Sequence, residues 1–562
     1  MRVERGLACG LAATISLLAL GPALAQSTDS QRIEQLQRQT DLLEKQIKAL
    51  KEEIAQTRKK TEKVESAQAV YAAHTPTQPT DPKSPVMMKA PSILDRVKIT
   101  PGGFISADTV WRQHNMVNDV GTQFLTTPFP FSPLYGEHEF HASARQSRIS
   151  VLVEGTIDPS QKLTGYFETD FLGVGGGPPA ASNYNQTNSW PPRLRQMYGN
   201  YDNTGWGFHL LAGQAWSLVT QTRTGITPRQ ENLPINIDSP AVNFVGFNWT
   251  RQWQIRAVQE FGSGVALGVS IENPAALVVA STATAPAGTG GAFVSGDIVN
   301  GAVVNFANTG AGGFLQGVNV TTDQIPDMVV KAAFDPGWGH YEIFGLGRFF
   351  TDHTLTCVPG CVAGSTAMTG STTTHTKFGG GIGGSVLVPL IPQYLEFTGN
   401  IMYGRGVSRY ASGQHGDATI AADGSLTPLV ALTAMVGLIA HPSEALDIFA
   451  YAGMEQVSAS NFNVGTTLFG YGNPGFSNAG CTIVTPASFA GATPSDCIAN
   501  NRRVMELAIG FWHDLYKGNF GRVRVGAQYE YLRREAFEGI GGAPTTDNNI
   551  ILTSIRYYPW GP

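Results

Sequence analysis

Arg522-Val-Arg-Val-Gly-Ala-Gln-Tyr-Glu-Tyr-Leu532 changes character at every second residue. Val523, Val525, Ala527, Tyr529 and Tyr531 fall on one side; Arg522, Arg524, Gln528 and Glu530 fall on the other. A period of two is that of an extended strand with two unlike faces. The pattern recurs upstream. Ile149, Val151 and Val153 share a face within Arg148–Glu154. In Leu163–Phe171 the apolar Leu163, Phe167 and Phe171 oppose Thr164, Tyr166, Glu168 and Asp170. A soluble sandwich would bury such an apolar face against a second sheet. A membrane barrel turns it to lipid and lines a wet lumen with the charges.

The connections separate these readings. Seven are short: Asp158–Gln161, Asn203–Gly207, Phe261–Gly264, Asp335–Gly339, Pro389–Pro392, His441–Glu444 and Asp514–Gly521. Between them lie eight long irregular segments, about 112–143, 172–192, 218–250, 272–326, 351–376, 404–427, 455–503 and 533–547. Short and long strictly alternate, so they join sixteen strands. An even strand number, with short turns at one end and long loops at the other, is the layout of an outer-membrane barrel. The expected fold is all-β, a sixteen-stranded antiparallel transmembrane barrel. Such a barrel is too wide for side chains to fill, so an aqueous channel is expected.

Working outward, the rest of the 562 residues divides in two. Beyond Gly21 no glycine occurs before Gly102, and every aromatic except Tyr71 lies at or beyond Phe104. The barrel region is 96–562. The balance of 38 basic and 43 acidic residues leaves no nucleic-acid footprint. Beyond the N-terminus no run reaches the roughly 18 apolar residues of a membrane helix.

Arg2 and Arg5, the apolar run Leu7–Leu20, and Ala23-Leu-Ala25 form the three regions of a secretory signal. Cleavage would remove residues 1–25 and leave Gln26 first. Residues 33–64 then carry an unbroken heptad. Position a is Ile33, Thr40, Ile47, Ile54 and Thr61; position d is Leu36, Leu43, Leu50, Thr57 and Val64. A strict 3.5-residue period with a two-residue seam predicts a parallel coiled coil within 26–66. Its place would be the periplasm, where cell-wall components would be its partners. Residues 67–95, with Pro76, Pro79, Pro82, Pro85 and Pro91, read as an extended linker. The exported chain keeps Cys357 and Cys361, and Cys481 and Cys497, each pair within one long loop. Export to an oxidising compartment predicts two local disulfides.

The lumen can be read by alternation. Arg148, Arg193, Arg195, Arg256, Arg522, Arg524 and Arg556 fall on polar strand faces. The barrel region has 25 basic residues against 32 acidic ones, so overall charge does not favour anions. Placement does. Inward guanidiniums around a water-filled wall attract small anions and match carboxylates bidentately. The competing reading pairs them with inward Glu154, Glu168, Asp170, Glu506 and Glu530. The third long loop carries Arg223, Arg229, Glu231 and Asp238 and is nominated as a constriction, by analogy with large porins. No catalytic constellation, metal-ligand spacing or cofactor motif is recognisable. His138-Glu-Phe-His141 lacks the helical spacing of a zinc site, and Gly379–Gly384 leads into a strand rather than a helix N-terminus.

Several segments together carry a family resemblance: Ala144-Arg-Gln-Ser-Arg148, Tyr166-Phe-Glu-Thr-Asp-Phe171, Arg193-Leu-Arg-Gln-Met-Tyr198, Leu211-Ala-Gly-Gln-Ala-Trp216, Arg251-Gln-Trp-Gln-Ile-Arg256 and Ile555-Arg-Tyr-Tyr-Pro-Trp560. The mature chain resembles the DcaP-like trimeric porins. That resemblance implies a Gram-negative outer-membrane homotrimer in contact with membrane lipid, passing small anionic solutes such as dicarboxylates. It also implies that Arg148, Arg195 and Arg256 are lumenal. Two other functions fit parts of the sequence. One is a structural or adhesive surface protein, which the long loops and the coil would suit. The other is a sugar- or phosphate-selective porin, since lumen aromatics such as Tyr166 can stack on sugar rings.

Overall fold

The computed structural model describes Lys48 and residues 97–173, 191–279, 293–294, 303–305, 323–357, 370–421, 423–464, 467–484, 497–498 and 500–560. The expected signal sequence and linker, the coiled coil apart from helical Lys48, and Cys361 lie outside these residues. The chain divides into two units, Met1–Ala90 and Pro91–Pro562.

The second unit is a closed antiparallel barrel. Its strands are β1 (Val97–Arg112), β2 (in two pieces, Glu139–Ser143 and Arg148–Asp158), β3 (Gln161–Asp170), β4 (Arg193–Asn203), β5 (Phe208–Trp216), β6 (Arg251–Glu260), β7 (Val265–Glu272) and β8 (Asp327–Phe334). They continue with β9 (His340–Cys357), β10 (Gly370–Ile391), β11 (Leu395–Arg405), β12 (Val430–Ser443), β13 (Leu446–Val457), β14 (Asn501–Gly518), β15 (Gly521–Ala536) and β16 (Thr545–Tyr558). Each pairs with the next, and β16 closes on β1 through Ile105↔Tyr557 to Arg112↔Ile550. Closure leaves the barrel no open ends to its sheet. The seven short turns and eight long connections alternate as the sequence predicts.

Several boundaries differ, three of them most. The fifth long connection is shorter than 351–376, because β9 and β10 stay paired from Thr351↔Thr376 to Cys357↔Gly370. The Thr-rich stretch there suits an extended ladder. The turn placed at Asp514–Gly521 tightens to Gly518–Gly521, with a register shift between Asp514 and Tyr516. The first long segment ends in strand rather than loop: Glu139–Ser143 pairs with β1 before the chain breaks at Ala144–Ser147.

Burial inverts that of a soluble protein. Leu163, Ile149 and Tyr529 are exposed, whereas Glu168, Gln528 and Glu530 are buried. Trp206, Phe261, Trp338, Tyr394 and Phe520 stand exposed at the short-turn end. Aromatics gathered at that level form the interfacial girdle of a membrane barrel.

The core lies between the wall and the third long loop (217–250), which folds into the barrel. Ile237, Phe244, Val245 and Phe247 of the loop are fully buried against Met435, Phe449, Val504 and Trp512 of the wall. Each such side chain contributes about 1.5–3 kcal/mol by leaving water. At the loop's other end, Leu218, Val219 and Ile226 pack on Val258, Val329 and Phe344. One glycine makes the seat possible. A Cβ at Gly453 would come within 1.8 Å of the Val245 carbonyl oxygen, so loop backbone lies directly on wall backbone.

Candidate functional site

The inward loop is tied down along its length. Its backbone N–H groups donate to wall side chains: Leu218 to Glu272 (2.9 Å), Thr222 to Glu342 (3.0 Å), Ile235 to Tyr451 (3.1 Å) and Ile237 to Gln528 (2.6 Å). Val245 donates to Glu506 (2.9 Å) and Gly246 to Glu455 (2.8 Å). In return the wall donates to loop carbonyls. Arg195 Nη1 reaches Pro240 O at 2.8 Å, Arg193 Nη2 the same oxygen at 3.2 Å, and Arg556 Nη2 reaches Ile237 O at 2.5 Å. A loop segment without regular structure needs such partners when it leaves water. Asp238 lies on this loop, and burial holds its carboxyl above the ordinary carboxylate range.

Between the loop and the wall of β1–β4 and β14–β16 remains a cavity of about 390 Å³. Four of the predicted lumen arginines line it: Arg148, Arg195, Arg524 and Arg556. Among the described residues, Glu168 is the one carboxylate in the lining. The loop contributes Leu233–Asn236, Ser239 and Pro240.

The arginines are held, and most are paired from behind. Arg195 binds Glu168 at 2.6 Å and Asp170 at 2.8 Å. Arg524 contacts Asp514 at 2.8 Å and also pairs with Asp447. Arg556 is 3.9 Å from Asp108. Arg148 is the least committed: it lies 3.6 Å from Glu168, and its buried Nε has no hydrogen-bond partner. Aromatic rings brace the guanidiniums. Arg148 and Arg556 stand 5.4 and 5.0 Å from the Phe104 ring centroid; Arg556 and Arg524 stand 4.5 and 5.4 Å from a Trp512 ring. Such cation–π contacts fix a flexible cation without neutralising it. The pairing with inward carboxylates therefore holds for Glu168 and Asp170. Glu154 pairs with Lys162, while Glu506 receives the loop N–H of Val245 and Glu530 accepts from Gln528.

The other predicted residues lie outside the cavity lining. Arg193 sits beside it on Asp170 at 2.7 Å, and Arg522 pairs with Asp514 at 2.7 Å. Arg256 is buried on β6, away from the lining, with Nη2 unpartnered. The charged loop residues Arg223, Arg229, Glu231 and Asp238 are not part of the lining either. Arg223 pairs with Glu396 of β11 at 2.8 Å, Arg229 stacks near Tyr166, and Glu231 bridges to Thr222. The loop's share of the lining is instead uncharged: Leu233–Asn236, Ser239 and Pro240. Cys481 and Cys497 form a disulfide in the seventh loop.

Phe104, Trp512 and Tyr558 were not singled out from the sequence. Phe104 shares its face with Ser106 and Asp108, so alternation along β1 would have found it. Arg112, Lys331 and Arg348 were missed on inward positions as well; each is buried against a carboxylate.

No family model and no curated protein sequence matches the chain. Among solved structures, the outer membrane channel DcaP of Acinetobacter baumannii superposes with a TM-score of 0.52 at 15% identity, over 83% of this chain and 98% of that one. An anion-selective porin from Comamonas acidovorans superposes with a TM-score of 0.41 at 9% identity, over 82% of this chain and 99% of that one. The chain thus has the fold of the DcaP channel, the fold that its sequence motifs led one to expect.

Proposed function

We propose that this protein is an outer-membrane diffusion channel for small anionic solutes, carboxylates such as dicarboxylates among them. It works as a homotrimer, with the N-terminal coil in the periplasm. The observation that carries this reading is the cavity lining: four guanidiniums face the space and one carboxylate does, while Asp170, Asp447, Asp514 and Asp108 stand behind. A solute anion exchanges water for forked N–H donors there, Arg148 offering the freest set. Passage requires that no single contact be strong. Several half-neutralised arginines provide weak, successive stations, and loop 217–250 narrows the route so that each solute meets them.

The test is a planar bilayer holding the purified protein under a salt gradient. The expected result is conductance in steps of three, a reversal potential on the anion side, and block by a small dicarboxylate. A cation-side potential would overturn the anion reading. Absence of conductance would return weight to a structural or adhesive surface role, and block by neutral sugars would favour a sugar channel.

A further inference from the structure

The lipid-facing surface carries a feature that the channel does not use. Across β12–β15 the outward residues fall in two rows: Ala434, Met454, Met505 and Arg533, then Val436, Ala452, Leu507 and Tyr531. The short side chains of Ala434 and Ala452 leave an apolar dent of about 350 Å³. Directly above, toward the long loops, Arg503 and Arg533 both converge on Glu535, at 2.5 and 3.0 Å. Two guanidiniums share the Glu535 carboxylate, and Asp547 is the ladder partner of Arg533, so the rim is balanced in charge and offers donors rather than excess charge. Arg533 commits only its Nε to Glu535, and its side chain is 42% exposed.

We infer that this dent and its arginine rim bind one acyl chain and a phosphate of a phosphorylated multi-acyl glycolipid of the lipid A type. Three observations carry the choice of occupant. The cleft is apolar and opens toward the bilayer, which suits a hydrocarbon tail. The free guanidinium N–H groups stand at its upper edge, where an anionic headgroup would sit. The whole feature lies in the half of the wall nearest the long loops, since β12 runs from Val430 to Ser443 and Ala434 and Val436 fall in its first half. That half meets the outer leaflet. The inference rests on the reading of the barrel as an outer-membrane protein, and on nothing about its selectivity.

The experiment takes the full chain, purified in a neutral detergent, and adds diphosphoryl lipid A or phosphatidylglycerol. Bound lipid is read by native mass spectrometry, and the unfolding temperature of the barrel by its heat-modifiable mobility. Diphosphoryl lipid A is expected to stay bound and to raise the unfolding temperature. Both effects are expected to persist in Arg533→Lys and to be lost in Arg533→Glu. Ala452→Phe fills the dent from the lipid side, so it abolishes binding without touching the charged rim. Binding unchanged in Ala452→Phe and Arg533→Glu would overturn the proposal. So would phosphatidylglycerol binding as tightly as lipid A, or an Ala452→Cys disulfide joining two copies across this face. Conductance of the same preparations keeps the two readings apart: loss of lipid binding with a normal anion current refutes only the lipid site.

Discussion

The two sides of the lumen hold similar residues and use them differently. On the β7–β11 side, Arg348 lies 3.1 Å from Asp327 and 3.0 Å from Asp417, and Lys331 lies 2.5 Å from Glu342; all five side chains are almost completely buried. On the β14–β4 side, Arg148, Arg524 and Arg556 keep a face on open space. The sealed side holds the wall together; the open side is the one the proposed function uses. Inward arginine is therefore a poor marker of selectivity. What matters is whether its carboxylate stands in front of it or behind.

The sharpest way to break this comparison is to remove one partner from each side. Arg348→Ala leaves Asp417 buried without its cation and Asp327 with only Arg409 at 3.7 Å, which costs about 3–5 kcal/mol. It should lower the barrel's unfolding temperature in detergent and leave the reversal potential of surviving channels unchanged. A normal unfolding temperature would show that water reaches that side. Next in size, Arg148→Ala combined with Arg556→Ala should move the reversal potential toward cations and weaken dicarboxylate block by roughly tenfold or more, about 1.4 kcal/mol. The unfolding temperature should change less than in Arg348→Ala. The reverse ordering of the two variants in either assay would erase the distinction between the sides.

A smaller effect sharpens the role of the loop between them. Burial raises the Asp238 carboxyl in the folded protein. A group whose folded value lies above its unfolded one stabilises the fold at low pH, and that contribution is lost as pH rises through the folded value. The loop seat should therefore loosen with rising pH, seen as growing current noise in single channels. Asp238→Asn should flatten that pH dependence. Smallest of all, Lys162→Ala removes a partly exposed pair with Glu154 at the short-turn end. It should change stability by about 0–1 kcal/mol, with no change of selectivity in the bilayer.

The fold was legible because two of its rules are local. A strand with lipid outside and water inside must alternate, as Arg522–Leu532 and Leu163–Phe171 do. A barrel inserted from one side must sort its connections by length. Boundaries were harder where composition misleads: Thr372–Thr374 read as loop and instead extend a ladder. The site was half legible. Alternation put Arg148, Arg195, Arg524 and Arg556 on the inner face, and it put Arg256 and Arg522 there equally. The sequence could not rank them.

By itself the sequence determined sixteen alternating strands and a set of inward arginines. These follow from periodicity, which needs only neighbouring residues. The tertiary structure decided which arginines share a space. Arg148 and Arg556 meet at Phe104 because β1 pairs with both β2 and the last strand, bringing together residues some four hundred positions apart. It also decided that loop 217–250 turns inward. Its buried Ile237, Phe244 and Val245 and the bare backbone at Gly453 fit one another only when the wall has closed around them.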